Sequence, residues 1–170
     1  MFKFGAITLT AVLLLGLILT GCSSAGGVAT AKDGDTVQVN YTGKLADGTV
    51  FDSSAGRTPL EFTLGKGQVV PGFEKAVLGM KVGEKKTVTI PSDEAYGPHL
   101  DSLVIQVLRD RIKMDGQLAE GQVLQTTGPN GQKIQFTVIN VSDNGTVTLD
   151  ANSPLAGKDL TFDIELVAIK

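Results

Sequence analysis

The 170 residues hold one cysteine, one histidine and no tryptophan. A lone cysteine, Cys22, excludes an intrachain disulfide, and with only His99 beside it a site of several Cys and His ligands cannot be assembled. A Ser–His–Asp or Cys–His hydrolase would have to use His99, and no G-x-S-x-G turn exists to present a serine. No H-E-x-x-H occurs either. Long like-charge blocks are missing and the net charge is −3, so the basic stripe of a nucleic-acid binder is absent. Aromatic residues are few, seven Phe and two Tyr, whereas glycine is abundant at 21. That balance describes a chain of short strands and many turns, long enough for one domain or two small ones.

The first thirty residues read as an address. One positive charge, Lys3, precedes an uncharged run from 4 to 21 that contains AVLLLGLIL and ends in Leu19-Thr20-Gly21-Cys22. A positive start, an apolar centre and small residues before a cut describe a secretory signal. An uncleaved anchor is the alternative, since a helix spans a bilayer with about 20 apolar residues. The sequence L-T-G-C resembles the lipobox of bacterial lipoproteins, and the only cysteine falls where that motif needs it. The resemblance implies cleavage after residue 21, lipid on Cys22 and an extracytoplasmic, membrane-anchored protein. SSAGGVATA follows, small residues without a core pattern, so 22–31 is expected to be a flexible tether.

From 35 to 43, DTVQVNYTG alternates through Val37, Val39 and Tyr41, which predicts a strand with one buried face. Ala46-Asp47-Gly48 predicts a turn and TVFDS a second strand; Leu60, Phe62 and Leu64 alternate in a third. In VVPGFEKAVLGM, Val70, Phe73, Val77 and Met80 recur at helical spacing, Pro71 suits a first turn and Gly79 a C-terminal stop. Val88 and Ile90 share the face of a further strand. Beyond residue 98 the pattern restarts. SLVIQVLRDRI reads as strand rather than helix. GQVLQTT, QKIQFTVINVSD and TVTLDA read as a meander whose second turn is Asn144-Gly145. Its inner face is expected to combine Ile134, Phe136 and Val138 with Val123, Val147 and Leu149. In the last strand, DLTFDIELVAIK, the residues Leu160, Phe162, Ile164, Leu166 and Ala168 are expected to face one way.

Three phrases, VNYTGKLADGTVFDSS (39–54), PLEFTLGKGQVVPGFEKAVLGMKVGEKKTVTIPSDEAYG (59–97) and LAGKDLTFDIELVAIK (155–170), together resemble the FKBP-type peptidyl-prolyl cis/trans isomerases. The resemblance implies an α+β fold, an antiparallel sheet wrapped on one short helix. Between Tyr96 and Leu155 stand 58 residues (97–154) with a strand pattern of their own, too many for a structureless loop. That layout resembles the SlyD-like branch, whose small, mainly-β insert-in-flap domain holds unfolded chains. The expected organisation is a signal peptide at 1–21, a tether at 22–31, an isomerase domain from 32–97 and 152–170, and an insert at 98–151. The His- and Cys-rich tail of many SlyD proteins is absent, so no metal site is expected, and no cofactor.

By the resemblance, Tyr41, Phe51, Phe62, Val69, Val70, Phe73, Tyr96 and Phe162 line the proline site, Phe73 as its floor where many relatives carry Trp. Tyr96 is implied to offer its hydroxyl to a substrate carbonyl and Val70 its N–H to a neighbouring one. Asp52 is implied beside Tyr41, and Leu155 at the rim. Proline-containing or unfolded polypeptides are the implied partners, with macrolide inhibitors as further ligands. Taken singly, a Phe on an alternating strand is ordinary core and an Asp after one is a turn or cap residue. A pure binding module on the same scaffold, without useful catalysis, is the rival reading.

Overall fold

The computed structural model describes residues 29–114 and 116–170. Cys22, the leader and most of the tether lie outside the described residues.

Among the described residues nine strands form two antiparallel sheets, accompanied by one α-helix. The first contains β1 (Thr36–Lys44), β2 (Val50–Ser53), β3 (Leu60–Thr63), β4 (Lys85–Ile90) and β9 (Leu160–Ile169). Its order is β2-β1-β9-β4, and β3 also pairs with β1. One edge of β1 is thus shared: residues 36–39 pair with β3 and residues 42–44 with β2. The gap falls at Tyr41. Ser54 fills it, its backbone N–H donating to the Tyr41 carbonyl (3.0 Å) while its hydroxyl accepts from the Tyr41 N–H (2.8 Å). Ser54 is the only buried polar side chain among the described residues. This bond pair lets the chain leave the sheet beside Tyr41 with no buried backbone group orphaned.

Against the inner face lies α1 (Pro71–Val77), with Gly72, Phe73, Ala76 and Val77 buried. Pro71 takes the first helical position, where a missing N–H costs nothing. Gly79, at φ +78°, stops the helix in the left-handed region. At the C-terminal end, where carbonyls lack helical partners and the dipole is negative, the Lys86 ammonium donates to the Ala76 carbonyl (3.1 Å). Gly72 has no room for a Cβ, because Ile90 of β4 packs onto it. Val37, Val39, Leu64, Val77, Ile90, Leu160, Ile164 and Leu166 form the centre of the core. The α+β fold with one short helix is therefore as the resemblance implied.

Two expectations need correction here. The tether does not run to residue 31: Ala31 is buried, its N–H donates to the Met80 carbonyl (2.9 Å), and its carbonyl accepts from Gly79 (2.8 Å). A small residue reads as linker in sequence, yet fits the tight space at the helix end. Nor does Ala168 continue the inner face of β9. The register shifts between Gln38 and Val39, Val167 turns outward, and Ile169 packs on the core instead.

The second sheet, in the order β5-β8-β7-β6, is made entirely of residues between β4 and β9. It comprises β5 (Val104–Leu108), β6 (Val123–Thr127), β7 (Lys133–Val141) and β8 (Thr146–Asp150). Val138, Val147 and Leu149 form its own core, with Val107, Ile112, Leu118, Leu124 and Phe136 packed against them. Val123 was expected on this face but is 59% exposed. It pairs with Thr137, and the inward position beside Phe136 belongs to Leu124; in GQVLQTT the two neighbours are equally apolar, and the period of two leaves the phase open. The hairpin at Asn144-Gly145 forms, with only Gly145 at positive φ (+81°), so the turn is not the two-residue type in which both central residues are left-handed.

Candidate functional site

Strand alternation puts Val37, Val39, Tyr41 and Gly43 of β1 on the inner face, and Phe162 of β9 comes opposite Gly43. Gly43 is buried, and a Cβ there would stand 2.6 Å from Phe51 and 2.9 Å from Phe162. Its lack of a side chain lets these two rings meet edge to face, centroids 5.6 Å apart. Phe73 rises from the first turn of α1 into the middle of the group. It meets Phe162 at 5.1 Å, Tyr41 at 5.8 Å and Phe62 of β3 at 5.9 Å, the first two edge to face. Such tilted and edge-to-face arrangements suit the ring quadrupoles and hold each ring in one orientation.

Burial grades outward from this centre. Phe62, Phe73 and Phe162 are buried, Tyr41 and Phe51 half-buried, and Tyr96 is 48% exposed. Val69, Val70 and Leu155 pack at the margin, half-buried. The structure gathers Tyr41, Phe51, Phe62, Phe73 and Phe162 into one aromatic cluster, packs Val69, Val70 and Leu155 against it and bonds Asp52 to Tyr41; Phe73, the expected floor, is only 3% exposed, and the exposed Tyr96 is not among the rings that pack together. The Val70 carbonyl caps α1 by accepting from Phe73 (3.0 Å) and Glu74 (3.2 Å). Among the described residues no acceptor takes the Val70 N–H. Tyr96 follows a short 3₁₀ turn (Ser92–Glu94), fixed by the Gly97 N–H donating to the Ser92 carbonyl (2.7 Å).

The polar edge is a chain of three side chains. The Tyr41 hydroxyl donates to Asp52 Oδ2 (2.5 Å); Asp52 Oδ1 accepts from the Ser53 N–H (2.8 Å) and from the Arg57 guanidinium (3.2 Å). Burial, aided by the bond to Asp52, pushes the Tyr41 phenol up to about 12. Asp52 is held below the ordinary carboxylate range, first by the Tyr41 bond and further by Ser53 and Arg57. Tyr41 is thus protonated and Asp52 ionised throughout the physiological range, so neither exchanges a proton with a substrate there. They form a fixed dipole at the rim. Arg57, Ser54 and Gly43 were not singled out from the sequence; an Arg five residues after an Asp, or a Gly inside an alternating strand, signals them only weakly.

The raised phenol gives a direct check. Tyr41 should appear as a late-titrating component of phenolate absorbance at a pH of about 12, absent in Tyr41→Phe and moved part of the way back toward about 10 in Asp52→Asn. A raised folded pKa gives a contribution to stability that is fully present below about pH 10 and is lost as pH rises toward about 12. Tyr41→Phe should therefore flatten that part of the alkaline unfolding limb.

Two cavities lie elsewhere. One, of about 650 Å³, is on the outer face of the first sheet, where Asn40, Thr42, Asp163 and Glu165 alternate with the inward residues. Its charged lining, including Lys85 and Arg57, does not suit a proline ring, which the aromatic face does. The other, of about 340 Å³, belongs to the second sheet. No group of three or more metal-ligating side chains occurs among the described residues.

An aromatic, unreactive face with fixed polar groups at its edge suits a reaction without bond cleavage. The family model described as FKBP-type peptidyl-prolyl cis-trans isomerase matches residues 27–167. A short-type peptidyl-prolyl cis-trans isomerase of Methanocaldococcus jannaschii is 37% identical over 150 residues, covering 79% of this chain and 91% of that protein. The SlyD isomerase of Helicobacter pylori is 36% identical over 121 residues, 71% of this chain and 64% of its own length. FK506-binding protein 2 of Yarrowia lipolytica is 60% identical over 68 residues, but these span only 39% of this chain and 47% of that protein. Since the family match runs through both sheets and carries the whole aromatic face, the chain belongs to the FKBP-type peptidyl-prolyl cis-trans isomerases.

Proposed function

We propose that this isomerase assists the folding of polypeptides outside the cytoplasm, anchored to a membrane by lipid on Cys22, with residues 98–151 as an inserted domain that holds unfolded clients. The observation that carries the catalytic part is the packing of Tyr41, Phe51, Phe62, Phe73 and Phe162 into one aromatic face, with Asp52 bonded to Tyr41 at its edge. An X–Pro bond rotates over a barrier of roughly 18–20 kcal/mol that arises from amide resonance. At the twisted transition state that resonance is lost and the carbonyl dipole shrinks, so an apolar surface favours the twisted form over the planar one. A thousandfold acceleration needs only about 4 kcal/mol of such preference. Tyr96 and the Val70 N–H are the groups we assign to the substrate carbonyls, and Tyr41, Phe51, Phe62, Val69, Phe73 and Phe162 to the proline ring. Macrolides that present a ring of similar size would compete for the same face.

The client-holding part rests on the second sheet's incompletely covered apolar face, where Ile105 is 39% exposed. The extracytoplasmic part rests on the apolar leader and the placement of Cys22.

A refolding assay limited by an X–Pro bond tests the catalytic claim, using the chain from residue 23 onward. Substoichiometric protein should speed the proline-limited phase, and Asp52→Ala and Tyr96→Ala should lose most of that acceleration. An unchanged phase with wild-type protein would replace catalysis with a tethered binding module. For the anchor, Cys22→Ser in cells should accumulate uncleaved precursor that takes up no labelled fatty acid. Normal processing and labelling of that variant would rule the lipid anchor out.

A further inference from the structure

The second sheet turns one face inward through Ile105 and Val107 of β5, Val147 and Leu149 of β8, Phe136 of β7 and Leu124 of β6. The segment between β5 and β6 crosses this face and sets Ile112 and Leu118 on part of it. What it leaves is a groove of about 340 Å³ with Ile105, Val107, Leu124, Phe136 and Leu149 as its apolar lining and Arg111 and Lys113 in its wall. That volume is at the small end of what ligand sites occupy, room for one or two apolar side chains. The stretch 98–151 is acidic, with four Lys or Arg against six Asp or Glu. None of the five acidic residues described there lines the groove. Among the described residues neither Arg111 nor Lys113 pairs with a carboxylate.

The backbone that carries the two cations is tied down. Arg109, just before them, donates to the Ile112 carbonyl (3.0 Å) and to the Gly116 carbonyl (2.7 Å), and so folds the segment carrying Arg111 and Lys113 back on itself. Tying that backbone removes part of the ordering entropy that a flexible surface ion pair must overcome, the backbone part and not the side-chain part.

We propose that Arg111 and Lys113 make this groove selective for apolar segments of unfolded chains flanked by Asp or Glu, and that they reject segments flanked by Lys or Arg. The inference rests on the client-holding reading above and adds its selectivity. Two rim pairs, turned from attraction to repulsion, correspond to a preference of roughly tenfold. Because the pairs are exposed, the preference should shrink as salt shortens the screening length below about 10 Å.

The test uses the full chain and three proline-free fluorescent peptides that share one apolar core and carry Asp/Glu, Ser or Lys flanks. Leaving out proline keeps the aromatic face of the first sheet out of the measurement. Anisotropy titrations should rank them acidic, neutral, basic, with roughly tenfold between the ends. Arg111→Glu with Lys113→Glu should reverse that order. Arg111→Gln with Lys113→Gln should level it. Leu124→Asp should weaken all three. Equal binding of the three peptides would overturn the charge selection and leave the groove as a client site. Failure of all three to bind would overturn the client-holding reading itself, and this inference with it.

Discussion

Replacing Phe73 with alanine should destabilise the protein by about 3–5 kcal/mol and remove nearly all acceleration of a proline-limited refolding step. Both effects come from one position. The ring is buried and touches three other rings, with Phe162, Tyr41 and Phe62 at 5.1, 5.8 and 5.9 Å. Removing it leaves a cavity that cannot collapse, because Tyr41 is pinned by Ser54 and Asp52, and Phe162 is wedged between Phe51 and Gly43. The surrounding rings lose their edge partner and, with it, their single orientation. A stability effect alone would not establish a functional role, so Phe73→Leu is the control. It keeps most of the buried volume, should cost about half as much stability or less, and still lacks the flat aromatic floor. Denaturant unfolding and the refolding assay are read on the same samples. Full activity in a folded Phe73→Leu would show that aromatic character at this position is not needed.

Elements that present one periodic face were legible before the structure. The alternation through Val37, Val39 and Tyr41, the helical spacing of Phe73 and Val77 behind Pro71, and the Asn144-Gly145 hairpin all depend on local rules, and each appears. Phrase-level resemblance then pointed to Tyr41, Asp52, Phe73 and Tyr96, of which the packing joins the first three. What could not be read depends on contacts between distant segments. Ser54 matters because β2 and β3 share one edge of β1 and leave a gap at Tyr41, a fact of pairing rather than of spacing. Gly43 is explained only by two rings from β2 and β9. The phase errors share a cause: Leu124 for Val123 and Ile169 for Ala168 arise where neighbouring positions are both apolar, so nothing local selects the inward one. Ala31 shows the converse, a linker-like residue made part of the core by the backbone of the helix end.

Deletion of residues 99–151, with a short glycine bridge in their place, should leave activity on a proline tetrapeptide within about twofold while cutting activity on an unfolded protein substrate by roughly 100-fold, the low end of what a second tethered contact contributes. The geometry of the junction makes the deletion feasible. The two crossing segments run side by side: Asn152 Oδ1 accepts from the Leu100 N–H (2.9 Å), Asn152 Nδ2 donates to the Leu100 carbonyl (3.0 Å), and the Gly157 N–H donates to the Gly97 carbonyl (2.8 Å). His99 joins the same clasp through Asp150 (2.9 Å). A few glycines therefore bridge the cut without pulling on Tyr96. The aromatic face draws every ring from residues 41–162 outside the deleted stretch, and the core of the first sheet shares no buried residue with that of the second. The tetrapeptide is too short to reach the second sheet, so it reports the aromatic face alone. On the proposed client-holding role, a long unfolded client would be retained by the groove, which would raise its local concentration at the proline site. Equal losses on both substrates would mean that the second sheet supports the fold of the first rather than holding clients, and a loss on neither would make it an ornament of the loop.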